Sequence, residues 1–236
     1  MTLTRGLVLA CTALAAAAPT LAEDRGWQRT TTPDGTKLSY RLVAPTEERD
    51  SYPVLLALPP GPQTVGMVEW GLDLYYIREA EARGWVVVSP AAPGGQTFVL
   101  GAEKYLPELL AEVAESYPPE GGKFHVAGVS NGGRSSFRIA ILHPELFHSI
   151  ATLPGWPTPS DLDRLGRIAE IPLRMWAGEQ ENPAWLELMR TAETLLQELD
   201  GNVELSLFPG EGHTLRRLAG GRALFDFLES TRPEGQ

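Results

Sequence analysis

Along residues 52–208 the chain alternates between short apolar runs, rich in β-favouring residues and closed by Gly, Pro or Asp, and longer stretches with apolar residues at helical spacing. The short runs are 52–58, 85–89, 123–127, 149–153, 173–177 and 203–208. The helical stretches are 67–83, stopping at Gly84, 102–117 before two prolines, 131–143 before Pro144, 183–199 before Asp200-Gly201, and 215–229. The short runs are apolar almost throughout instead of at every second position, so both of their faces must be buried. A mostly parallel sheet with crossover helices on both faces provides that burial, and the predicted class is α/β. Residues 26–43, with Pro33-Asp34-Gly35 at their middle, predict an antiparallel hairpin ahead of the sheet. Ligands of such sheets bind beyond the carboxyl ends of the strands. The loops that matter are therefore 59–66, 90–101, 128–133, 154–170, 178–183 and 209–214.

Composition narrows the class of partner. The 236 residues are 43% hydrophobic and 21% charged, as in an ordinary globular chain, and one domain over 23–236 is expected. Ahead of it, Arg5, an uncharged apolar stretch over 6–18, and small residues up to Ala22 before Glu23-Asp24 read as a signal peptide over 1–22. That stretch falls short of the roughly 20 residues needed to cross a bilayer, so no membrane span is expected and the protein is placed outside the cytoplasm, secreted or periplasmic. The net charge of −10 argues against nucleic acid as a partner, because phosphate backbones are bound by basic patches. Cys11 is the single cysteine, which excludes an internal disulfide and cysteine-rich zinc sites. No histidine pair has metal spacing and no phosphate-binding or dinucleotide glycine motif occurs, so neither metal nor cofactor is expected.

One loop carries chemistry. Gly128-Val129-Ser130-Asn131-Gly132-Gly133 follows a predicted strand and opens a predicted helix, where a sharp strand-to-helix turn strains the central residue and small neighbours let the backbones pass. Ser130 would then present its hydroxyl at a helix N-terminus, where free N–H groups favour developing negative charge. A serine hydroxyl is a poor nucleophile near neutrality and needs a base within hydrogen-bond reach. Of the four histidines, only His213 lies on a loop directly after the last predicted strand, in Gly210-Glu211-Gly212-His213. The plainer readings are a helix-capping serine in a glycine-rich loop and an ordinary loop histidine.

The strand, the Gly-Val-Ser-Asn-Gly-Gly turn, the helix and His143-Pro144-Glu145-Leu146-Phe147 downstream resemble the α/β-hydrolase superfamily. Within it, residues 128–134 (GVSNGGR) and 55–64 (LLALPPGPQT) are similar to secreted serine esterases of the polyhydroxybutyrate-depolymerase and feruloyl or acetyl esterase group. The resemblance implies a nucleophile, acid and histidine in that chain order. It maps the acid onto the loop Gly178-Glu179-Gln180-Glu181-Asn182-Pro183, where Glu181 stands in the place usually held by Asp and Glu179 is the rival. It also implies two oxyanion N–H donors, Asn131 and one from the loop after the third strand. There the usual His-Gly is replaced by Pro60-Gly61-Pro62-Gln63; Pro62 has no N–H, which leaves Gln63 as the preferred donor and Gly61 as its rival.

The segment 154–170 is too short for a cap domain, so the site should be open. Trp156 is expected to line the substrate pocket, whereas Trp70 and Trp185 fall on helical patterns and read as core. The expected reaction is hydrolysis of a carboxylic ester, small-molecule or polymeric, through an acyl-enzyme. The alternatives are a peptidase of the same fold and a catalytically silent hydrolase fold that binds a ligand or partner.

Overall fold

A computed structural model describes residues 26–233; the expected signal peptide over 1–22 lies outside the described residues. The strands are β1 (Trp27–Thr31), β2 (Lys37–Val43), β3 (Val54–Leu58), β4 (Val86–Pro90), β5 (Phe124–Gly128), β6 (Phe147–Thr152), β7 (Leu173–Gly178) and β8 (Val203–Phe208). They form one eight-stranded sheet in the order β1-β2-β4-β3-β5-β6-β7-β8. The β1–β2 hairpin joins it antiparallel, β2 against β4, and every later pairing is parallel.

β3, β4 and β5 are buried at every position. Because successive side chains point to opposite faces, Leu56, Leu58, Val88 and Val126 join one core cluster while Leu55, Ala57, Val87 and Ala127 join the other. The first cluster is closed by α3 (Leu106–Ser116), α4 (Asn131–Leu142) and α6 (Pro183–Gln197), through residues such as Leu109, Phe137 and Met189. The second is closed by α1 (Val65–Gly71), α2 (Ile77–Arg83) and the C-terminal α7 (Arg222–Ser230), through Val68, Ala80 and Phe225. A short α5 (Pro159–Leu162) completes the loop after β6. Among the described residues, no helix is long and apolar enough to cross a membrane.

Three helical expectations need correction. The stretch expected over 67–83 begins at Val65 and contains a π-helical segment, Leu72–Tyr76, between α1 and α2. That over 102–117 begins as a 3-10 turn, Ala102–Tyr105. The helix expected over 215–229 is broken: Arg216–Leu218 is a 3-10 turn, and Gly220 and Gly221, at φ 83° and 82°, turn the chain before α7. A Cβ at Gly221 would fall on the Tyr75 carbonyl, so the glycine there is a packing requirement as well as a conformational one.

Candidate active site

Ser130 sits between β5 and α4 with φ 57° and ψ −114°, in the left-handed half of backbone space that a non-glycine residue enters only when its surroundings impose it. Here they do. The Ser130 N–H donates to Pro154 O at 2.6 Å and Val129 N–H to Leu58 O at 3.2 Å, tying the turn to the loops after β6 and β3. The glycines around it have no room for a side chain. A Cβ at Gly128 would land on the Gly132 backbone, one at Gly132 on the Leu58 carbonyl, and one at Gly133 within 2.6 Å of Gly155 Cα.

His213 Nε2 lies 2.9 Å from Ser130 Oγ, and His213 Nδ1 lies 2.5 Å from Glu181 Oε2. A carboxylate can only accept, so Nδ1 carries the proton and donates to Glu181, leaving Nε2 to accept from the Ser130 hydroxyl. The three groups are graded in depth: the Glu181 side chain is 3% exposed, Ser130 is half-buried, and the His213 side chain is 43% exposed. Glu181 Oε1 accepts the Asn182 N–H at 2.7 Å. The loops after β7 and β8 are joined by Gln180 N–H donating to Glu211 O at 2.9 Å, and Gly178 packs so closely on Glu211 that a Cβ would overlap its carbonyl. That junction holds His213 opposite Glu181. Glu179, the rival acid, is exposed, with its N–H on Phe208 O at 3.0 Å.

The oxyanion loop departs from expectation. Gln63 is fully buried; its N–H donates to Pro60 O at 3.0 Å, its Nε2 to Pro59 O at 3.0 Å, and its Oε1 accepts Phe98 N–H at 2.7 Å. The preferred donor Gln63 is thus engaged within the protein, and it acts as a strut fixing the loops after β3 and β4. Gly61, the rival, is placed differently: among the described residues its N–H has no partner, and its carbonyl accepts from Asn131 Nδ2 at 2.9 Å. The Asn131 side chain therefore links the Gly61 loop to the start of α4, and its Oδ1 accepts from Arg134 Nη1 at 3.0 Å.

The tryptophans also differ from their sequence reading. Trp156 is buried at 6% exposure and stacks on Trp185, ring centroids 4.3 Å apart and planes 15° from parallel. Trp185 is only half-buried, with its ring centroid 5.4 Å from that of His213. Trp185, half-buried and packed on the first core cluster, is also the aromatic beside the histidine, whereas Trp156, expected to line the pocket, is a buried member of that cluster. Trp70, expected in the core, is 38% exposed. The signal for Trp185 was its position just past Asn182, which caps α6 by accepting the Ala184 N–H at 2.9 Å, at the carboxyl end of β7. A separate cavity of about 740 Å³, lined by Lys123, His148, Arg167 and Glu170 among others, opens at the amino ends of β5 to β7, away from Ser130.

The sheet order and the strained serine turn at the carboxyl end of β5 define an α/β-hydrolase. The sequence model of the Esterase family matches residues 81–216, which contain Ser130, Glu181 and His213, and the chain belongs to that family. Carboxylesterase SOBER1 of Arabidopsis thaliana is 27% identical over 128 residues, 52% of this chain and 55% of that protein, so the chain spans about half the length of this curated relative. Among solved structures, a thermostable esterase matches with TM-score 0.73 and 16% identity, over 88% of this chain and 63% of its own. The LpqC poly(3-hydroxybutyrate) depolymerase of Bordetella parapertussis matches with TM-score 0.68 and 16% identity, over 89% and 92%. An S-formylglutathione hydrolase of Agrobacterium tumefaciens matches with TM-score 0.64 and 17% identity, over 88% and 96%. At these identities the likeness is one of fold.

Proposed function

We propose that the protein is an exported serine esterase. Ser130 Oγ attacks the carbonyl carbon of a carboxylic ester while His213 Nε2 takes the hydroxyl proton, and Glu181 holds the imidazole in the tautomer that can accept it. The N–H groups of Asn131 and Gly61 receive the oxyanion of the tetrahedral intermediate. His213 then returns the proton to the leaving alcohol, and water, activated by the same nitrogen, releases the acid from Ser130. The observation that carries this reading is the continuous hydrogen-bond chain from Ser130 through His213 to buried Glu181, at 2.9 and 2.5 Å. Membership of the esterase family supports ester over amide substrates.

The test is hydrolysis of 4-nitrophenyl acetate beside the corresponding 4-nitroanilide. The ester should be cleaved and the anilide spared, and Ser130→Ala should lose about 10³-fold or more of the ester activity. Ester turnover that survives in Ser130→Ala would contradict the assignment. Export is supported by the leader over 1–22, and the mature chain recovered outside the cytoplasm should begin at Glu23.

A further inference from the structure

Arg134 lies four residues after Ser130 on α4, and its N–H donates to Ser130 O at 3.0 Å. Its Nη1 donates to Asn131 Oδ1 at 3.0 Å, and its guanidinium carbon stands 5.6 Å from the centroid of Trp156. Trp156 stacks on Trp185, Trp185 neighbours His213, and His213 reaches Ser130. These contacts run through six residues along one flank of the nucleophile, the Arg134–Ser130 link being made by backbone.

Among the described residues, no acid is in ion-pair contact with the Arg134 guanidinium. Among them, too, its buried Nε has no acceptor and its Nη2 has no partner. Asp161, the buried carboxylate whose charge acts on Arg134, is in direct contact with Arg138 instead, at 3.0 Å, and accepts from Thr158 Oγ1 at 2.6 Å. A partly buried guanidinium whose one acceptor is a neutral amide and whose Nε is unpaired is costly, and this one persists in a chain that carries ten more acids than bases. A planar cation lying on a tryptophan face with free N–H groups is suited to a carboxylate.

We propose that Arg134, backed by the Trp156–Trp185 pair, is an anion anchor of the active site and that the preferred substrate is a half-ester of a dicarboxylic acid. This rests on the serine-esterase reading and specifies its substrate. The anion belongs on the acyl side, because the leaving oxygen must lie against His213 Nε2 while Arg134 reaches the site from the Asn131 side. The guanidinium folds back onto Asn131, the residue next to Ser130, and an adipate half-ester, whose carboxylate lies five bonds from the ester carbonyl, is the probe of its reach.

The experiment compares kcat/KM for 4-nitrophenyl hydrogen adipate and 4-nitrophenyl hexanoate, esters of equal chain length that differ in the terminal charge. In Arg134→Met the adipate-to-hexanoate ratio should fall about tenfold or more relative to the unaltered protein, mainly through KM, with partial recovery in Arg134→Lys. An unchanged ratio, whether or not both rates fall, overturns the anchor and makes Arg134 a support for Asn131 alone. The unaltered protein supplies a second arm. A local anchor makes kcat/KM on the adipate ester fall with added salt, whereas repulsion by a net charge of −10 alone would make it rise, and a rise overturns the proposal. Turnover of neither ester by the folded protein would instead refute the esterase reading itself.

Discussion

Glu181 and Glu179 stand two positions apart on one loop and in opposite environments. Glu181 is buried and accepts from both His213 and the Asn182 N–H; Glu179 faces water. Glu181→Gln keeps the shape but offers Nδ1 a competing donor, so the histidine loses the tautomer that activates Ser130. A fall in kcat of about 10³- to 10⁴-fold is expected, against less than about twofold for Glu179→Gln, and steady-state kinetics on one ester checks both. Equal losses would refute the assignment. The sequence narrowed the acid to this loop but could not choose between its members by residue type. Glu181 is set against His213 by the turn in which its N–H donates to Gly178 O at 3.1 Å and by the Gln180–Glu211 backbone bond. The engagement of Gln63 is hidden for a related reason: nothing in the residue order reveals that the N–H after Pro62 closes a turn onto Pro60 O.

At the level of elements, the strand-to-helix turn around Ser130 is built on close approach. Gly132 packs against the carbonyl of Leu58 at the end of β3, and an added methyl group would overlap it. Since the atom met is backbone, relief requires moving β3 or α4, and Gly132→Ala should cost roughly 1–3 kcal/mol of stability, as overpacking does. Urea unfolding measures that loss, and esterase activity should fall with it because the same shift displaces the Gly61 loop. An unchanged midpoint would contradict the packing account. Most elements were legible because their apolar patterns differ in period, near-continuous runs for β3 and β4, short runs broken by polar residues for β5 to β8, and helical spacing for α3, α4 and α6. The exceptions have local causes: the Gly220-Gly221 pair that ends the expected helix over 215–229 is visible in the sequence, whereas the π-helical segment Leu72–Tyr76 leaves the apolar spacing almost unchanged.

Across the whole molecule, α7 and the residues just after it are fastened to their neighbours by polar contacts that are part-buried or exposed. Trp85 Nε1 donates to Glu229 Oε1 at 2.6 Å, Arg83 pairs with Asp226 at 2.7 Å, and Arg232 grips Glu120 at 2.7 and 2.8 Å. Beneath them lies His125, 1% exposed, with Nδ1 at 2.7 Å from Ser149 Oγ and rings of Trp85 and His148 against it. Burial, with His148 and Arg232 adding to it, pulls the His125 imidazole down from 6.5 to about 3. Between those values the unfolded chain binds a proton that the folded one refuses, so this group's stability contribution is intact above about pH 6.5 and declines as pH falls towards 3. Each pH unit in that window costs up to about 1.4 kcal/mol. Thermal unfolding should therefore show a shallower decline of Tm from pH 6.5 to 4 in His125→Gln than in the unaltered protein. Parallel curves would contradict this.

The central claim is that Ser130 is an activated nucleophile. The most direct measurement is peptide mapping by mass spectrometry after reaction with a fluorophosphonate, which bonds covalently to serines whose oxygen is made nucleophilic by an adjacent base. A single adduct on Ser130, lost in His213→Ala, is the predicted result. A folded protein that takes no label, or takes it elsewhere, would contradict the claim and leave an esterase fold that binds without catalysing.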